Sequence, residues 1–209
     1  MAETATIPAP LAPAAHGPHR TTTGLSHNKI GMWLFLASDC LLFGALISTY
    51  LLYHDRISAL QLGPKEVFDI PFTSVSSFVL LMSSLTMVLA LSALQRGDIA
   101  RNRLWLVVTA MLGATFVGGQ VYEFTTFYHE GLGYTTNLFG SAFYTLTGFH
   151  GVHVTVGIVM LMSLVIKSLR GNLTKENAET VEIIGLYWHF VDIVWILIFT
   201  VVYLIQVAS

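Results

Sequence analysis

The stretch IGMWLFLASDCLLFGALISTYLLY, residues Ile30–Tyr53, decides the fold. It carries one acidic or basic side chain, Asp39, among apolar and aromatic residues. At about 1.5 Å per residue, a helix over this run exceeds the roughly 30 Å hydrocarbon core of a bilayer. Four similar runs follow, at about 72–94, 104–127, 139–166 and 183–206. The sequence therefore predicts an all-α integral membrane protein, a bundle of five transmembrane helices.

The composition supports a membrane protein. Charged residues make up 11% of the 209-residue chain, against about 25% in soluble domains, and the mean hydropathy is +0.68. A single cysteine excludes a disulfide framework and a cysteine-rich metal site. The net charge of −2 gives no indication of a nucleic-acid partner. We expect residues 1–28, rich in Ala, Pro and Thr, to form a flexible tail, and residues 29–209 to form the transmembrane domain.

The distribution of Lys and Arg predicts the orientation, because cytoplasmic loops carry an excess of these residues. Only Arg56 and Lys65 fall in loops on one side. The other eight cations fall in the tail, the second-to-third loop and the fourth-to-fifth loop: Arg20, Lys29, Arg96, Arg101, Arg103, Lys167, Arg170 and Lys175. The N-terminus is therefore predicted in the cytoplasm and the C-terminus outside.

Asp39 lies about ten residues into the first predicted span, which places it near the membrane midplane. A charged side chain there costs at least about 2.5–3.5 kcal/mol on insertion scales. Asp39 is therefore a candidate for a proton relay. A neutral acid that hydrogen-bonds a neighbouring helix is an equally good interpretation, and both stay open.

Other ionisable side chains are predicted inside the spans. Two pairs are spaced i, i+3, so the members of each pair share one helix face. We predict that these residues tie helices together as a buried polar network: Glu123, His150, His153, His189 and Asp192. The five serines of the second span, Ser74, Ser76, Ser77, Ser83 and Ser84, favour close helix packing. The aromatic residues Trp33, Trp105, Trp188 and Tyr203 fall mostly near span ends, and an interfacial belt explains most of them.

Two alternatives start from the same residues. A membrane di-iron enzyme would use paired Glu-x-x-His motifs, whereas the order here is His-x-x-His in FHGVHV and His-x-x-Asp in YWHFVDIVW. No metal site is therefore predicted. A small proton-coupled transporter would use Asp39, Glu123 and the histidines as a relay, and interrupted helices would favour it. The continuous apolar spans weigh against the transporter.

Four segments carry a resemblance to a known family, subunit III of haem–copper terminal oxidases in its bacterial five-helix form. The resemblance runs from about residue 29 to the C-terminus. The segments are GMWLFLASDCLLFGALISTYLLY (Gly31–Tyr53), GQVYEF (Gly119–Phe124), TNLFGSAFYTLTGFHGVHVTVG (Thr136–Gly157) and YWHFVDIVWILIFTVVYLI (Tyr187–Ile205).

The resemblance implies a non-redox, non-catalytic subunit of a proton-pumping respiratory oxidase that reduces O₂ to water. Haem and copper are then expected in partner subunits. This chain is expected to pack on subunit I, beside subunit II and a small subunit IV, in the bacterial cell (inner) membrane. It is also expected to hold phospholipids, with headgroups near Arg96, Arg101 and Arg103. The acidic residue of the family's first-span motif, which is often Glu, corresponds here to Asp39, and the resemblance makes Asp39 the candidate linked to proton uptake.

The electron donor stays open between two choices. The residues around Asp39 look like those of quinol oxidase subunit III, whereas the segment from Thr136 to Gly151 looks like that of bacterial cytochrome c oxidases. The second match is longer, so cytochrome c is favoured, with quinol as the alternative.

Overall fold

The computed structural model describes residues 26–54, 70–129, 131, 133–135 and 138–204. Most of the predicted tail, residues 1–25, lies outside this part of the chain. The helices are α1 His27–His54, α2 Ile70–Gln95, α3 Ile99–His129, α4 Leu138–Leu169 and α5 Ala178–Phe199. A 3₁₀ turn, Lys175–Asn177, precedes α5, and a π-helical segment, Thr200–Leu204, continues it.

All five predicted spans are present. Each coincides with a helical segment that is long and apolar enough to cross a membrane: His27–Tyr53, Ile70–Gln95, Ile99–His129, Leu138–Leu169 and Lys175–Leu204. The last two residues of the fifth predicted span lie outside the described part of the chain. The prediction of a five-helix membrane bundle is therefore confirmed. Two helices begin about five residues before the predicted spans: α3 at Ile99 rather than near residue 104, and α5 at Ala178 rather than near residue 183.

Two tight turns reverse the chain at the same end of the bundle. At each turn a glycine adopts a positive φ, 83° at Gly97 and 74° at Gly171. After Gly97, the N–H of Asp98 donates to the carbonyl of Ala93 at 2.9 Å, which closes the end of α2. The Asp98 carboxylate then accepts from the N–H of Arg101 at 3.0 Å and caps α3. These short connections make α2 and α3, and likewise α4 and α5, antiparallel neighbours.

Helix α5 occupies the middle of the bundle, where it packs against α1, α2 and α4. Its Trp188 is 1% exposed, and the indole lies against Gly113 of α3 and Gly157 of α4. The indole N–H donates to Ser83 Oγ of α2 at 2.9 Å. One side chain of α5 therefore contacts three other helices. Helix α1 lies at the periphery, against α4 and α5.

Candidate functional site

The first buried polar contact joins α1 to α4 and contains Asp39. Asp39 is 6% exposed, and its Oδ2 lies 3.6 Å from Nε2 of His153. Nδ1 of His153 lies 2.7 Å from the carbonyl of Phe149. A carbonyl only accepts, so this contact assigns the proton to Nδ1 and leaves Nε2 facing the carboxyl group. The Tyr187 hydroxyl of α5 donates to the His153 carbonyl at 3.0 Å, so three helices meet here.

The second contact joins α5 to α2 through Ser84. The Ser84 hydroxyl donates to Oδ2 of Asp192 and lies 2.9 Å from Nδ1 of His189. Because the hydroxyl has one hydrogen, a chain in which His189 Nδ1–H donates to Ser84 and the Ser84 hydroxyl donates to Asp192 Oδ2 pairs these three atoms. The i, i+3 pair in α5 therefore shares one serine of α2. Oδ1 of Asp192 is buried without a hydrogen-bond partner among the described residues.

The third contact joins α3 to α2 near the opposite end of the bundle from Gly97. Glu123 is 6% exposed, and its carboxylate accepts from the Thr73 hydroxyl. The phenol of Tyr203, which is 1% exposed, interacts electrostatically with Glu123. Gly119, four residues before Glu123, lies in the same interface, because a Cβ there would be 3.1 Å from Ser76 Oγ.

His150 lies apart from these contacts in an aromatic cage. The ring is fully buried, stacks on Trp195 at a centroid distance of 4.8 Å and meets the ring of Phe116 edge-on at 5.8 Å. Among the described residues neither ring nitrogen has a hydrogen-bond partner. The two histidines of FHGVHV therefore have different surroundings, with His153 facing α1 and His150 facing α3 and α5.

A row of tryptophan–serine bonds joins α5 to α2. Trp195 donates to Ser77 Oγ at 2.8 Å, in parallel with the bond from Trp188 to Ser83. Placing Trp188 in an interfacial belt was therefore wrong, because it is 1% exposed inside the bundle and contacts three helices. Tyr203 is buried to the same extent, next to the last residue of the fifth span. Trp188 and Trp195 are seven residues apart, which returns them to the same helix face. That spacing was the signal in the sequence for this row.

The three arginines predicted to meet lipid headgroups differ in their contacts. Arg103 donates to the Ser168 carbonyl at 2.9 Å and to its hydroxyl at 3.2 Å, which caps the end of α4. The exposed Arg101 pairs with Asp98 at 3.2 Å. The exposed Arg96 donates to Ser92 of its own helix at 2.8 Å. The side chains of Arg96 and Arg101 are therefore exposed at the surface, whereas the guanidinium group of Arg103 is bound to Ser168 within the chain.

Four of the five predicted network residues, Glu123, His153, His189 and Asp192, thus fall into separate interhelical links, whereas His150 has no hydrogen-bond partner among the described residues. Within the part of the chain described, no three His, Cys, Asp or Glu side chains converge closely enough to hold a metal ion. The buried carboxyl groups of Asp39, Glu123 and Asp192 face hydroxyl groups or a single imidazole, and each link joins a different pair of helices. The partners Thr73, Ser84 and Trp195 were not among the predicted site residues.

Five apolar helices joined by buried polar contacts define a polytopic helical membrane protein. Residues 12–207 match the family described as Cytochrome c oxidase subunit III. The Cytochrome c oxidase subunit 3 of Bacillus sp. (strain PS3) is 42% identical over 200 residues, which cover 94% of each chain. The chain therefore belongs to the terminal-oxidase subunit III family, and the resemblance seen in the sequence is confirmed.

The family includes subunits of oxidases with both donors. In Bacillus subtilis (strain 168), the Quinol oxidase subunit 3 is 38% identical over 182 residues, 87% of this chain and 89% of the relative. The Cytochrome c oxidase subunit 3 of the same organism is 38% identical over 193 residues, 92% of this chain and 93% of the relative. The chain is thus a subunit III of an oxidoreductase complex and a multi-pass protein of the bacterial cell (inner) membrane. Family membership favours the oxidase over the transporter and di-iron alternatives.

Proposed function

We propose that this chain is a non-redox, structural subunit III of a proton-pumping terminal oxidase that reduces O₂ to water. In this proposal haem and copper reside in partner subunits, and the chain carries no catalytic centre. The observation that supports it is how the buried ionisable side chains are used. Asp39 faces His153, Asp192 and His189 share Ser84, and Glu123 accepts from Thr73. Each of these links joins helices of this chain to one another, which supports a structural role for the buried ionisable side chains.

The test compares purified oxidase with and without this subunit. We expect the complex that lacks it to keep its haem and copper content and its initial rate of O₂ reduction. During continuous turnover that complex should lose activity faster than the complete enzyme. Loss of a haem band or of copper on removing the subunit would contradict the non-redox assignment.

We place the N-terminus in the cytoplasm and the C-terminus outside. All lysines and arginines within the described residues lie at one end of the bundle: Lys29, Arg96, Arg101, Arg103, Lys167, Arg170 and Lys175. Contacts between the start of α1 and the start of α5 support this shared end, since Lys29 pairs with Glu182 at 2.7 Å. The positive-inside tendency makes this end cytoplasmic. In the complex, subunit I would cover one apolar flank, next to subunit II and a small subunit IV.

We propose that phospholipid phosphates bind at the cytoplasmic end, beside the exposed Arg96 and Arg101. Each basic residue near an anionic membrane surface contributes about 1 kcal/mol of attraction. Arg103 would contribute its charge while its guanidinium caps α4. Replacing both exposed arginines by glutamine should lower the anionic phospholipid retained by the purified complex, as measured by lipid mass spectrometry. The matched control is Lys175→Gln, at the same end and outside this pair.

The proton-linked role proposed for Asp39 is tested by two substitutions in the purified complex. Asp39→Asn keeps the size and a hydrogen-bonding side chain but cannot release a proton, whereas Asp39→Ala removes both. If Asp39 supports proton uptake, both variants should shorten the lifetime during turnover. If the residue only ties α1 to α4, only the alanine variant should do so. Wild-type turnover, pumping stoichiometry and lifetime in both would exclude the proton role. Glu176→Ala, an exposed acid before α5, is the control.

For the electron donor we propose cytochrome c. The support is the longer motif match from Thr136 to Gly151 together with the 200-residue alignment to the Bacillus sp. (strain PS3) relative. The equal identity of the two Bacillus subtilis relatives keeps quinol as the alternative. The rates at which the purified complex oxidises reduced cytochrome c and a quinol decide between them.

A further inference from the structure

A groove with a volume of about 370 Å³ runs along the membrane side of α1 and α5. Its walls include Trp33, Leu36 and Cys40 of α1 and Leu186, His189 and Phe190 of α5. We call it the α1–α5 groove. Its volume lies within the range of ligand pockets, about 300–1,000 Å³. His189 is the one basic side chain among mainly apolar and aromatic wall residues.

The groove lies at the depth where a bilayer is driest. His189 is at the midpoint of the fifth span, Lys175–Leu204, and Cys40 is at the midpoint of α1. The midpoint of a span is about 15 Å from either edge of the hydrocarbon core. Phospholipid headgroups do not reach that depth, and acyl chains offer no hydrogen-bonding atom. A phospholipid tail fits the walls of the groove but leaves the histidine without a partner.

The ring of His189 is held in a defined orientation. Its Nδ1 is occupied by Ser84 Oγ at 2.9 Å, and Ser84 in turn bonds to Asp192. Since Nδ1 faces α2, the opposite nitrogen, Nε2, is the one available to the groove. Within the described residues no hydrogen bond to Nε2 is present. A polar atom left unpaired in an apolar environment costs free energy, which a ligand with an oxygen at this depth would recover.

The tautomer of His189 can match two kinds of ligand oxygen. When Ser84 donates to Asp192, Nδ1 carries the proton and Nε2 accepts from a hydroxyl group. When a protonated Asp192 donates to Ser84, the serine donates to Nδ1, and Nε2–H then donates to a carbonyl. A ring compound that occurs in both carbonyl and hydroxyl forms suits this wall. The aromatic side chains of Trp33 and Phe190 provide surfaces for such a ring.

We propose that the α1–α5 groove binds a membrane quinone, with a ring oxygen hydrogen-bonded to His189 Nε2 and the apolar tail lying along α1. The proposal concerns binding by this chain and includes no electron transfer. It holds for either electron donor, so its failure would leave the assignment as subunit III intact.

Cys40 provides the test, because it is the chain's single cysteine, is exposed and lines the groove. The purified oxidase complex is treated with N-ethylmaleimide, and the modified Cys40 peptide is quantified by mass spectrometry. The probe is decylubiquinone, whose fully substituted ring does not alkylate thiols. At about ten times the half-protecting concentration, we expect the labelling rate to fall about tenfold. Hexadecane and phosphatidylglycerol at equal concentration should protect much less.

Two variants test separately how the hydrogen bond to His189 and the free volume of the groove contribute to quinone binding. His189→Phe keeps a ring without Nε2, and we expect the half-protecting concentration to rise about tenfold. Ile193→Trp fills the groove from α5 without changing Ser84 or Asp192, and protection by the quinone should disappear. Val75→Trp, at an exposed position of α2 outside the groove, is the matched control and should behave like the wild type.

Several results would overturn the proposal. Equal protection by hexadecane and decylubiquinone would identify a site for acyl chains only. Unchanged protection in Ile193→Trp would place the quinone elsewhere. Absence of Cys40 labelling in the complex without any ligand would show that a partner subunit covers the groove.

Discussion

The setting of Trp188 predicts how the bundle responds to one added methyl group. A Cβ at Gly157 would lie 2.7 Å from both Cε3 and Cζ3 of the indole. The ring has no room to withdraw, because a Cβ at Gly113 would lie 2.5 Å from Cη2. The bond from the indole N–H to Ser83 fixes the ring along α2 as well. Gly157→Ala should therefore force α4 and α5 apart.

The magnitude follows from two opposing effects. Overpacking a filled core costs about 1–3 kcal/mol, and replacing Gly by Ala inside a helix returns about 1 kcal/mol of helix propensity. The net effect of Gly157→Ala is then a destabilisation of up to about 2 kcal/mol. Gly148→Ala in the same helix is the control, because nothing lies within 4 Å of a Cβ there. Only the propensity gain remains at Gly148, so the two variants should differ by about 1–3 kcal/mol.

The assay heats the purified oxidase in detergent and quantifies this subunit in the soluble fraction by gel densitometry. For a chain of this size, 1 kcal/mol corresponds to about 2–4 °C in the unfolding midpoint. We expect Gly157→Ala to unfold several degrees below Gly148→Ala. Adding Trp188→Phe, which shortens the ring, should recover part of the difference. Equal midpoints for the two alanine variants, or no recovery with the smaller ring, would refute the role given to Trp188.

Two further predictions use the same heating assay. Ser84→Ala leaves two buried polar partners unsatisfied and should destabilise the subunit by about 1–3 kcal/mol. Ser38→Ala, where the hydroxyl bonds only to its own helix, should change the midpoint little. Arg103→Ala removes both bonds to Ser168 at the end of α4 and should cost about 1.5–3 kcal/mol, because the donor is charged. The exposed pair of Arg101 predicts a change within about 1 kcal/mol for Arg101→Ala, and equal losses at the two arginines would contradict the capping role.

The number and position of the helices were predictable because the bilayer imposes a minimum length and a nearly uninterrupted apolar composition. The start of α5 was less predictable, since charged residues there suggested a loop. In the structure Glu179 accepts from Ser26, and Glu182 pairs with Lys29. The first turns of α5 are thus polar helix, tied to the start of α1. Hydropathy therefore placed the start of this helix too late, because its charged side chains pair with residues at the start of α1.

This difference also explains the wrong prediction for Trp188. Counted from residue 183 the tryptophan appeared close to a membrane surface, whereas counted from Ala178 it lies ten residues inside α5. Depth measured along one helix also says nothing about which neighbour a side chain faces. The i, i+3 rule placed His189 and Asp192 on one face, but it did not identify Ser84 as their shared partner. Interhelical partners depend on crossing geometry, which a single sequence does not record.

The peripheral position of α1 gives Asp39 a particular importance. Helix α1 is the least buried of the five spans, and outward-facing apolar side chains such as Trp33 and Leu41 cover much of it. Apolar contact in lipid provides little net attraction between helices, because the acyl chains are equally apolar. Polar contacts therefore contribute more to the attachment of α1, and they occur at its N-terminal start and at Asp39. A change in the protonation of Asp39 would alter its contact with His153 and so the attachment of α1 to α4. The proposed role in proton supply and the attachment of α1 would thus depend on the same carboxyl group, and an asparagine in its place separates them.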